Sequence, residues 1–200
     1  MSVADRRQRE KLALRQEILA AARQLFAKEG YESVSMRRIA QKIDYSPTTI
    51  YLYFRDKEEL IRELCEETFS LMTNKIEKAI SGGGDPVEML KVGLRAYVDF
   101  GLQHPNHYQT TFLTRNDAPP DKDMETSAGG RAFQCLLQAI AKCVQAGVFR
   151  ETDVLAIGQA LWSMVHGVTA LQITHRGFPW INRNRLIDLS IDTAVRGLMR

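Results

Sequence analysis

Apolar residues recur every three or four positions along most of the chain, which is the spacing of helices with one buried face. No segment shows the strict alternation that is typical of a half-buried strand. The first apolar face runs from Leu14 to Phe26, and Gly30 stands where that helix should end. The pattern predicts an all-α protein.

Capping residues divide the rest of the pattern into helices. Ser35 should begin a second helix, and Ser46–Pro47 a third, because serine caps free N–H groups and proline fits the first helical position. Asp56 and Glu59 form a capping box for a long fourth helix that ends at the glycines 82–84. Further helices are predicted over about 86–103, 105–114, 123–146, 152–174 and 184–199.

This order of helices predicts two functional parts. Residues 1–57 form a small three-helix head, and residues 58–200 form a helical body. A long connecting helix over about 57–80 joins the two parts.

The charge of the chain is concentrated in the head. Residues 1–57 contain 12 Lys or Arg and 7 Asp or Glu, whereas the remainder contains 15 and 17. This bias favours a polyanionic partner for the head, although a solvated basic face is the common alternative. The N-terminus has no apolar signal core and no run of about 18 apolar residues is present, so the sequence predicts a cytoplasmic protein without a membrane span.

Metal and catalytic signatures are weak. Cys65, Cys135 and Cys143 contain no CxxC pair, which favours inert thiols over a redox sensor. His104 and His107 lack a third ligand at suitable spacing. No nucleophile elbow, phosphate loop or carboxylate pair is evident, so we expect no metal, no cofactor and no enzymatic activity.

The stretch YSPTTIYLYFRDK, residues 45–57, is the most informative. Asp44 and Tyr45 alone separate the second and third helices, and two helices with a tight turn in about 20 residues make a helix-turn-helix. Thr48 and Thr49 are short hydroxyl side chains suited to base edges in the major groove. The alternative is an amphipathic helix whose tyrosines only fill a core.

The segment VSMRRIAQKIDYSPTTIYLYFRDKEEL, which follows RQEILAAARQLFAKEG, resembles the N-terminal domain of the tetracycline-repressor (TetR) family of bacterial transcription regulators. The resemblance covers roughly residues 12–64. It implies contacts with double-stranded DNA, to base edges from Arg37, Thr48, Thr49 and Tyr51 and to phosphates from Ser35, Tyr53 and Lys57.

In the body, LWSMVHG at 161–167 is similar to the W-x-x-x-H-G signature of one TetR C-terminal subfamily. Trp162 and His166 are one turn apart on one helix face, and Gly167 should permit a close helix approach. The pair either lines an effector pocket or packs a helix interface. Further effector-binding candidates implied by the resemblance are Tyr97, Phe100, Tyr108, Phe112 and Phe133.

The resemblance also implies a homodimer in which the last two long helices meet those of a second copy. Their apolar stripes contain Ala156, Ala160, Leu161, Val168, Leu171, Leu186, Ile187, Ile191, Val195 and Leu198. A single chain could bury the same stripes internally.

The expected function is a repressor that binds a pseudo-palindromic operator as a dimer. A small apolar or aromatic ligand would release it. The alternative is a helical ligand-sensing or protein-interaction module whose helix-turn-helix does not bind DNA.

Overall fold

The computed structural model describes residues 3–113 and 127–200. Within these ranges every regular secondary-structure element is a helix, which confirms the predicted all-α fold. The helices are α1 Val3–Glu29, α2 Met36–Lys42, α3 Pro47–Tyr51, α4 Lys57–Ile80, α5 Pro86–Gln103, α6 Pro105–Tyr108, a π-helical segment Gln109–Leu113, α7 Ala128–Gln145, α8 Val154–Thr174 and α9 Arg183–Arg196.

The predicted helix starts are confirmed by their capping hydrogen bonds. The Ser35 hydroxyl accepts a bond from the backbone N–H of Arg38, and Ser46 accepts one from Thr49, both at 3.2 Å. The Asp85 carboxylate accepts bonds from two N–H groups in the first turn of α5. At the end of α1, Gly30 adopts a φ of 80°, a left-handed conformation that glycine accepts without steric cost.

Three predicted segments differ from the observed helices. The third helix is short, because the N–H groups of Tyr53 and Phe54 both donate to the carbonyl of Ile50 and tighten the chain after Tyr51. The predicted helix over 105–114 is divided into α6 and the π-helical segment. Helix α7 begins at residue 128, and the predicted residues 123–126 lie outside the described ranges.

The chain forms two compact units. Among the described residues, the first unit contains those up to Thr68 together with 106–113, and the second contains 69–105 and 127–200. The division falls inside α4. The functional boundary between residues 57 and 58 remains a prediction.

The first unit is built around α1. Its core includes Ile18 and Phe26 of α1, Ile39 of α2, Ile50 of α3 and Phe54, all of which are fully buried. Two ion pairs, Arg15–Glu63 and Arg23–Glu67, hold α1 on α4. This packing fixes the orientation of the short helix α3.

In the second unit α5, α7, α8 and α9 pack against one another. At Gly158, α8 lies close to α7, because a Cβ atom there would lie 2.5 Å from Leu137 Cδ2. The guanidinium group of Arg95 bonds Asp188 at 2.6 Å and Asn184 at 2.8 Å, which joins α5 to α9. The core of the unit includes the fully buried Ile140, Leu161 and Val195.

Two sequence expectations for the last helices need correction. Of the predicted interface stripes, Leu161, Ile187, Ile191 and Val195 are buried inside the chain, because α8 and α9 pack against α5 and each other. Gly167 does not provide a close approach to another described helix: outside α8's own backbone, no described heavy atom lies within 4 Å of a Cβ built there.

Helix α8 is long and apolar enough, by length and composition, to cross a membrane. Its mean hydropathy is 1.4, although it contains no unbroken run of 18 apolar residues, and the absence of a membrane span stays a prediction. Polar residues such as Gln159 and His166 interrupt the apolar run and hide it from a search for unbroken stretches. Helices in protein cores meet the same criterion, yet only 28% of this stretch is buried.

Candidate DNA-binding surface and effector site

The turn between α2 and α3 is a Schellman motif. The N–H of Tyr45 donates to the carbonyl of Ala40 at 3.0 Å, and that of Asp44 donates to Gln41 at 3.4 Å. Asp44 adopts a φ of 57°, the left-handed conformation that a glycine would take at no steric cost. The chain thus makes a tight helix-turn-helix with an aspartate at the strained position.

The exposed face of α3 carries the residues predicted to meet bases. Thr48 is exposed and Tyr51 is 54% exposed. Thr49 is half-buried, and its hydroxyl lies 2.9 Å from that of Ser46, so it also supports the cap of its own helix. The structure therefore brings Thr48 and Tyr51 together on the open surface.

Leu52, which was not among the predicted DNA contacts, is 76% exposed beside Tyr51. Its position was predictable, because Leu52 lies midway between the buried residues Ile50 and Phe54 and must face away from both. An exposed aliphatic group on such a helix is suited to contact with a thymine methyl group.

The residues of α2 predicted to contact DNA have different environments. Both Arg37 and Arg38 are exposed, but Arg38 forms an ion pair with Glu29 at 3.2 Å, whereas Arg37 forms none with the described residues. Ser35 is exposed and its hydroxyl caps α2. Arg37 is therefore the better placed of the two arginines for an external contact.

Lys57, a predicted phosphate contact, is engaged inside the head. Its Nζ atom donates a 2.9 Å hydrogen bond to the carbonyl oxygen of Tyr31 and lies 4.0 Å from the centroid of that ring. Burial raises the pKa of the Tyr31 phenol to about 12, and the nearby Glu58 carboxylate adds to the effect. Tyr53, the other predicted phosphate contact after α3, is half-buried against the core.

The start of α4 has a modified capping box. The Asp56 carboxylate accepts the N–H of Glu59 at 2.7 Å, and this bond, with help from Arg55, holds the pKa of Asp56 below its usual value. The Glu59 carboxylate returns one residue further than in the usual box, to the N–H of Arg55 at 2.6 Å. These two hydrogen bonds hold the segment that connects α3 to α4.

Four of the seven predicted effector residues form one cluster in the second unit. Trp162 donates its indole N–H to the Tyr97 hydroxyl at 3.3 Å. Its ring centroid lies 6.0 Å from that of Phe133 and 6.1 Å from that of His166. Trp162 is 41% exposed, and burial lowers the pKa of His166. We call these four residues the aromatic cluster.

The other three candidates lie elsewhere. Phe100 is buried in α5 with its ring centroid 4.9 Å from that of His104. Tyr108 and Phe112 belong to the first unit, where their ring centroids are 4.7 Å apart. The structure therefore does not bring these three into the aromatic cluster.

A second candidate effector site is a polar groove between α4 and α7 with a volume of about 580 Å³. None of the predicted effector residues is among its lining residues, and hydrophobic periodicity gave no signal for it. Thr73 places a buried hydroxyl there that has no hydrogen-bond partner among the described residues. The groove is lined by Ser70, Thr73, Asn74, Glu77, Ala128, Arg131, Gln134, Cys135 and Gln138.

The three thiols fit the prediction that they are inert. Burial raises the pKa of Cys65 and of Cys143 to about 11 and also raises that of Cys135. Thiolate, the reactive form, is therefore scarce at neutral pH. Among the described residues no group of three or more His, Cys, Asp or Glu is placed to hold a metal ion.

Comparison with known protein families agrees with this geometry. A family model described as bacterial regulatory proteins of the tetR family matches residues 18–64. A second, described as a tetracyclin repressor-like C-terminal domain, matches residues 90–198, which is more than half of the chain. The chain belongs to the TetR family.

Individual TetR-family proteins support this assignment. The chain is 22% identical over 154 residues to the uncharacterized HTH-type transcriptional regulator YobS of Bacillus subtilis, covering 77% of this chain and 76% of YobS. It is 35% identical over 76 residues to the HTH-type transcriptional repressor KstR of Mycolicibacterium smegmatis, covering 38% of this chain and 37% of KstR. The solved structure of the TetR-family regulator PfmR from Thermus thermophilus matches with a TM-score of 0.74 and 27% identity, over 92% of this chain and 99% of PfmR.

Membership in the TetR family settles the class of function. The chain is a DNA-binding transcriptional regulator, as the helix-turn-helix predicted. It spans only 33–37% of the length of several curated relatives, so what those whole proteins bind carries no conclusion for this chain.

Proposed function

We propose that this TetR-family regulator is a cytoplasmic repressor that binds a pseudo-palindromic operator as a homodimer and leaves it when a small molecule binds the second unit. The observation that carries the proposal is the exposure of Thr48, Tyr51 and Arg37 on a helix-turn-helix whose tight turn is fixed by backbone hydrogen bonds. A single such head makes few base contacts, and two heads related by a twofold axis read two half-sites.

The dimer is supported by the exposed side of α8. Three large apolar side chains of α8, Leu155, Trp162 and Leu171, are between 41% and 51% exposed. Small residues at four- and three-residue spacing follow this side: Ala156, Ala160, Ser163 and Gly167. Such a stripe permits close packing against the same stripe of a second copy, which would bury the open space at Gly167. The exposed Leu171 and, on α9, Leu189 would extend the interface.

The effector is proposed to bind at the aromatic cluster. Trp162 offers apolar area at a partly open position, and the neutral imidazole of His166 offers one polar contact. These features suit an apolar or aromatic molecule with one hydrogen-bonding group. Trp162 and His166 also carry the proposed membership in the W-x-x-x-H-G subfamily.

The polar groove supports a different effector chemistry. Its lining of hydroxyl, amide and charged groups would favour a polar molecule that meets Arg131 and the buried Thr73 hydroxyl. It is the second candidate site for the same response.

Helix α4 is proposed to couple effector and DNA. Its first residue, Lys57, is a predicted phosphate contact, and its later turns, from Phe69 to Ile80, belong to the second unit. An effector that binds one arrangement of α4 better than another would shift the operator affinity by its differential affinity. Couplings of this kind are about 1–3 kcal/mol, or roughly 5–150-fold.

The direct test is to recover bound fragments from genomic DNA and measure retardation of the recovered duplex. We expect a pseudo-palindromic site whose affinity falls steeply with salt, with a slope near 0.9 per neutralised phosphate. Binding to no fragment would favour the alternative, a protein-interaction module. Binding that is independent of salt would contradict phosphate recognition.

The effector site is tested by two variants against a panel of apolar and polar small molecules that displace the recovered duplex. Trp162→Ala should weaken displacement by the active compound and leave binding of the free protein to DNA within a few fold. Arg131→Gln is the matched test of the polar groove. Loss of response in Arg131→Gln alone would move the effector to that groove, and loss of fold in Trp162→Ala would make Trp162 structural.

A further inference from the structure

The first turns of α1 extend beyond the packed part of the head. All residues from Ala4 to Ala13 are exposed, and the first fully buried residue of the helix is Ile18. Ten residues of α-helix are about 15 Å long. This segment, which we call the α1 extension, therefore covers no surface formed by the described residues.

One face of α1 changes character where the core ends. Ile18, Ala22 and Phe26 follow each other at four-residue spacing on the buried face. Toward the N-terminus the same stripe continues, at three- and then four-residue spacing, through Arg15, Lys11 and Arg7. The face that packs on the protein is thus apolar over the core and cationic beyond it.

Arg15 marks the end of the packed stretch. Its guanidinium group pairs with Glu63 and lies 4.9 Å from the centroid of the Phe54 ring. Phe54 belongs to the chain that follows α3, between Tyr53 and Arg55. The α1 extension therefore begins beside the part of the head that carries the predicted phosphate contacts.

Arg7 and Lys11 form no ion pair with any described residue, whereas Arg6, on another face, pairs with Glu10 at 3.5 Å. Cations near a helix N-terminus are also disfavoured by the positive end of the helix dipole. A row of phosphates would supply the missing counter-charge to Arg7 and Lys11. The positive end of the helix dipole, which disfavours the two cations, would attract the phosphates.

We propose that Arg7 and Lys11 bind the phosphate backbone of duplex DNA next to the site that α3 contacts. The inference rests on the DNA binding of the head and extends its footprint to flanking base pairs. These contacts read charge and position, not sequence. The α1 extension therefore adds affinity without changing base preference.

The test compares two double variants on the duplex recovered from genomic fragments and on a random-sequence duplex. Arg7→Gln with Lys11→Gln should flatten the plot of log affinity against log salt by about 1.8 on both duplexes, at 0.9 per phosphate. Arg6→Gln with Arg9→Gln is the control, because it removes the same charge from the same turns but from another face. It should keep the slope of the unchanged protein.

Two further measurements complete the test. Thermal unfolding of both variants should match that of the unchanged protein, because the extension covers no core. Ethylation interference should lose flanking phosphates only in the Arg7/Lys11 variant. Equal slopes for the two double variants, or an unaltered footprint, would overturn the inference. Failure of the unchanged protein to bind any duplex would instead overturn the function of the head.

Discussion

The ammonium group of Lys57 contacts Tyr31 twice, 4.0 Å from the ring centroid and 2.9 Å from the carbonyl oxygen. The cation is thus positioned by the head before DNA is present. An ammonium group has three donors, so it can keep the carbonyl bond and still donate to a phosphate.

We therefore expect Lys57→Ala to have two separable effects. Loss of the phosphate contact should weaken binding to all duplexes alike and flatten the salt dependence by about one unit. Loss of the contact with the ring should lower the free energy of unfolding by about 0.5–1 kcal/mol. Retardation at several salt concentrations and urea unfolding measure the two effects.

Tyr31→Leu is the matched control for Lys57. It removes the ring and keeps the carbonyl oxygen, so stability should fall while the salt dependence stays within error of the unchanged protein. A lysine with a purely structural role would show the same salt dependence in Lys57→Ala as in Tyr31→Leu.

Ser46 and Thr48 should separate folding from recognition. Ser46→Ala removes the cap of α3 and should cost about 1 kcal/mol of unfolding free energy with unchanged base preference. Thr48→Ala, at an exposed position, should leave stability within about 0.5 kcal/mol. In the unchanged protein, a mismatched base pair at the position that Thr48 contacts should weaken binding by about 1–3 kcal/mol. Thr48→Ala should make this loss of binding free energy smaller. Competition with operators substituted at single positions would reveal the change, and a uniform loss across all positions would contradict it.

The proposed dimer predicts different effects of glutamate substitutions at exposed and at buried aliphatic residues of α8 and α9. Leu171→Glu and Leu189→Glu, both on exposed sides, should give folded monomers with much weaker operator binding in sedimentation and retardation experiments. Ile191→Glu should unfold the chain, because Ile191 is 4% exposed and burial of a carboxylate at this position costs several kcal/mol, on the order of the penalty for a buried charge. The control is Leu71→Glu, an exposed leucine of α4. Operator binding at full affinity by a Leu171→Glu monomer would rule out the interface.

His166 predicts a dependence of stability on pH. Burial lowers the pKa of His166 below 6.5, so the unfolded chain binds a proton at pH values where the folded chain does not. The stabilisation is complete above about pH 6.5 and is lost as the pH falls through the depressed pKa. His166→Gln should reduce this loss in thermal unfolding between neutral and mildly acidic pH. The control is His175→Gln, at an exposed position, which should lose as much stability in acid as the unchanged protein. If the His166→Gln variant loses just as much, His166 is not the cause of the acid sensitivity.

The sequence predicted features that depend on neighbouring residues. Ser46 caps the helix that follows it, and Asp44 and Tyr45 form the tight turn that their position between two capped helices predicts. These interactions span a few residues, so the pattern of side chains determines them directly.

Features that depend on distant residues escaped prediction. Lys57 and Tyr31 are 26 positions apart, and their contact follows from how α1 and α4 pack. Apolar periodicity identified the stripe through Ile191 but could not tell whether α5 or a second copy covers it. Gly158 and Gly167 lie on the same helix, and only the position of α7 shows which of them a neighbour approaches.

The hydrogen bond from Trp162 to Tyr97 gives the protein an optical reporter of its own. Trp162 and Trp180 are the chain's two tryptophans, and the indole N–H of Trp180 is held by the His175 carbonyl in a loop. In a Trp180→Phe variant all indole emission would arise from the aromatic cluster. Occupancy of that cluster and the protonation of His166 could then be followed by fluorescence, without an attached dye and without knowledge of the operator.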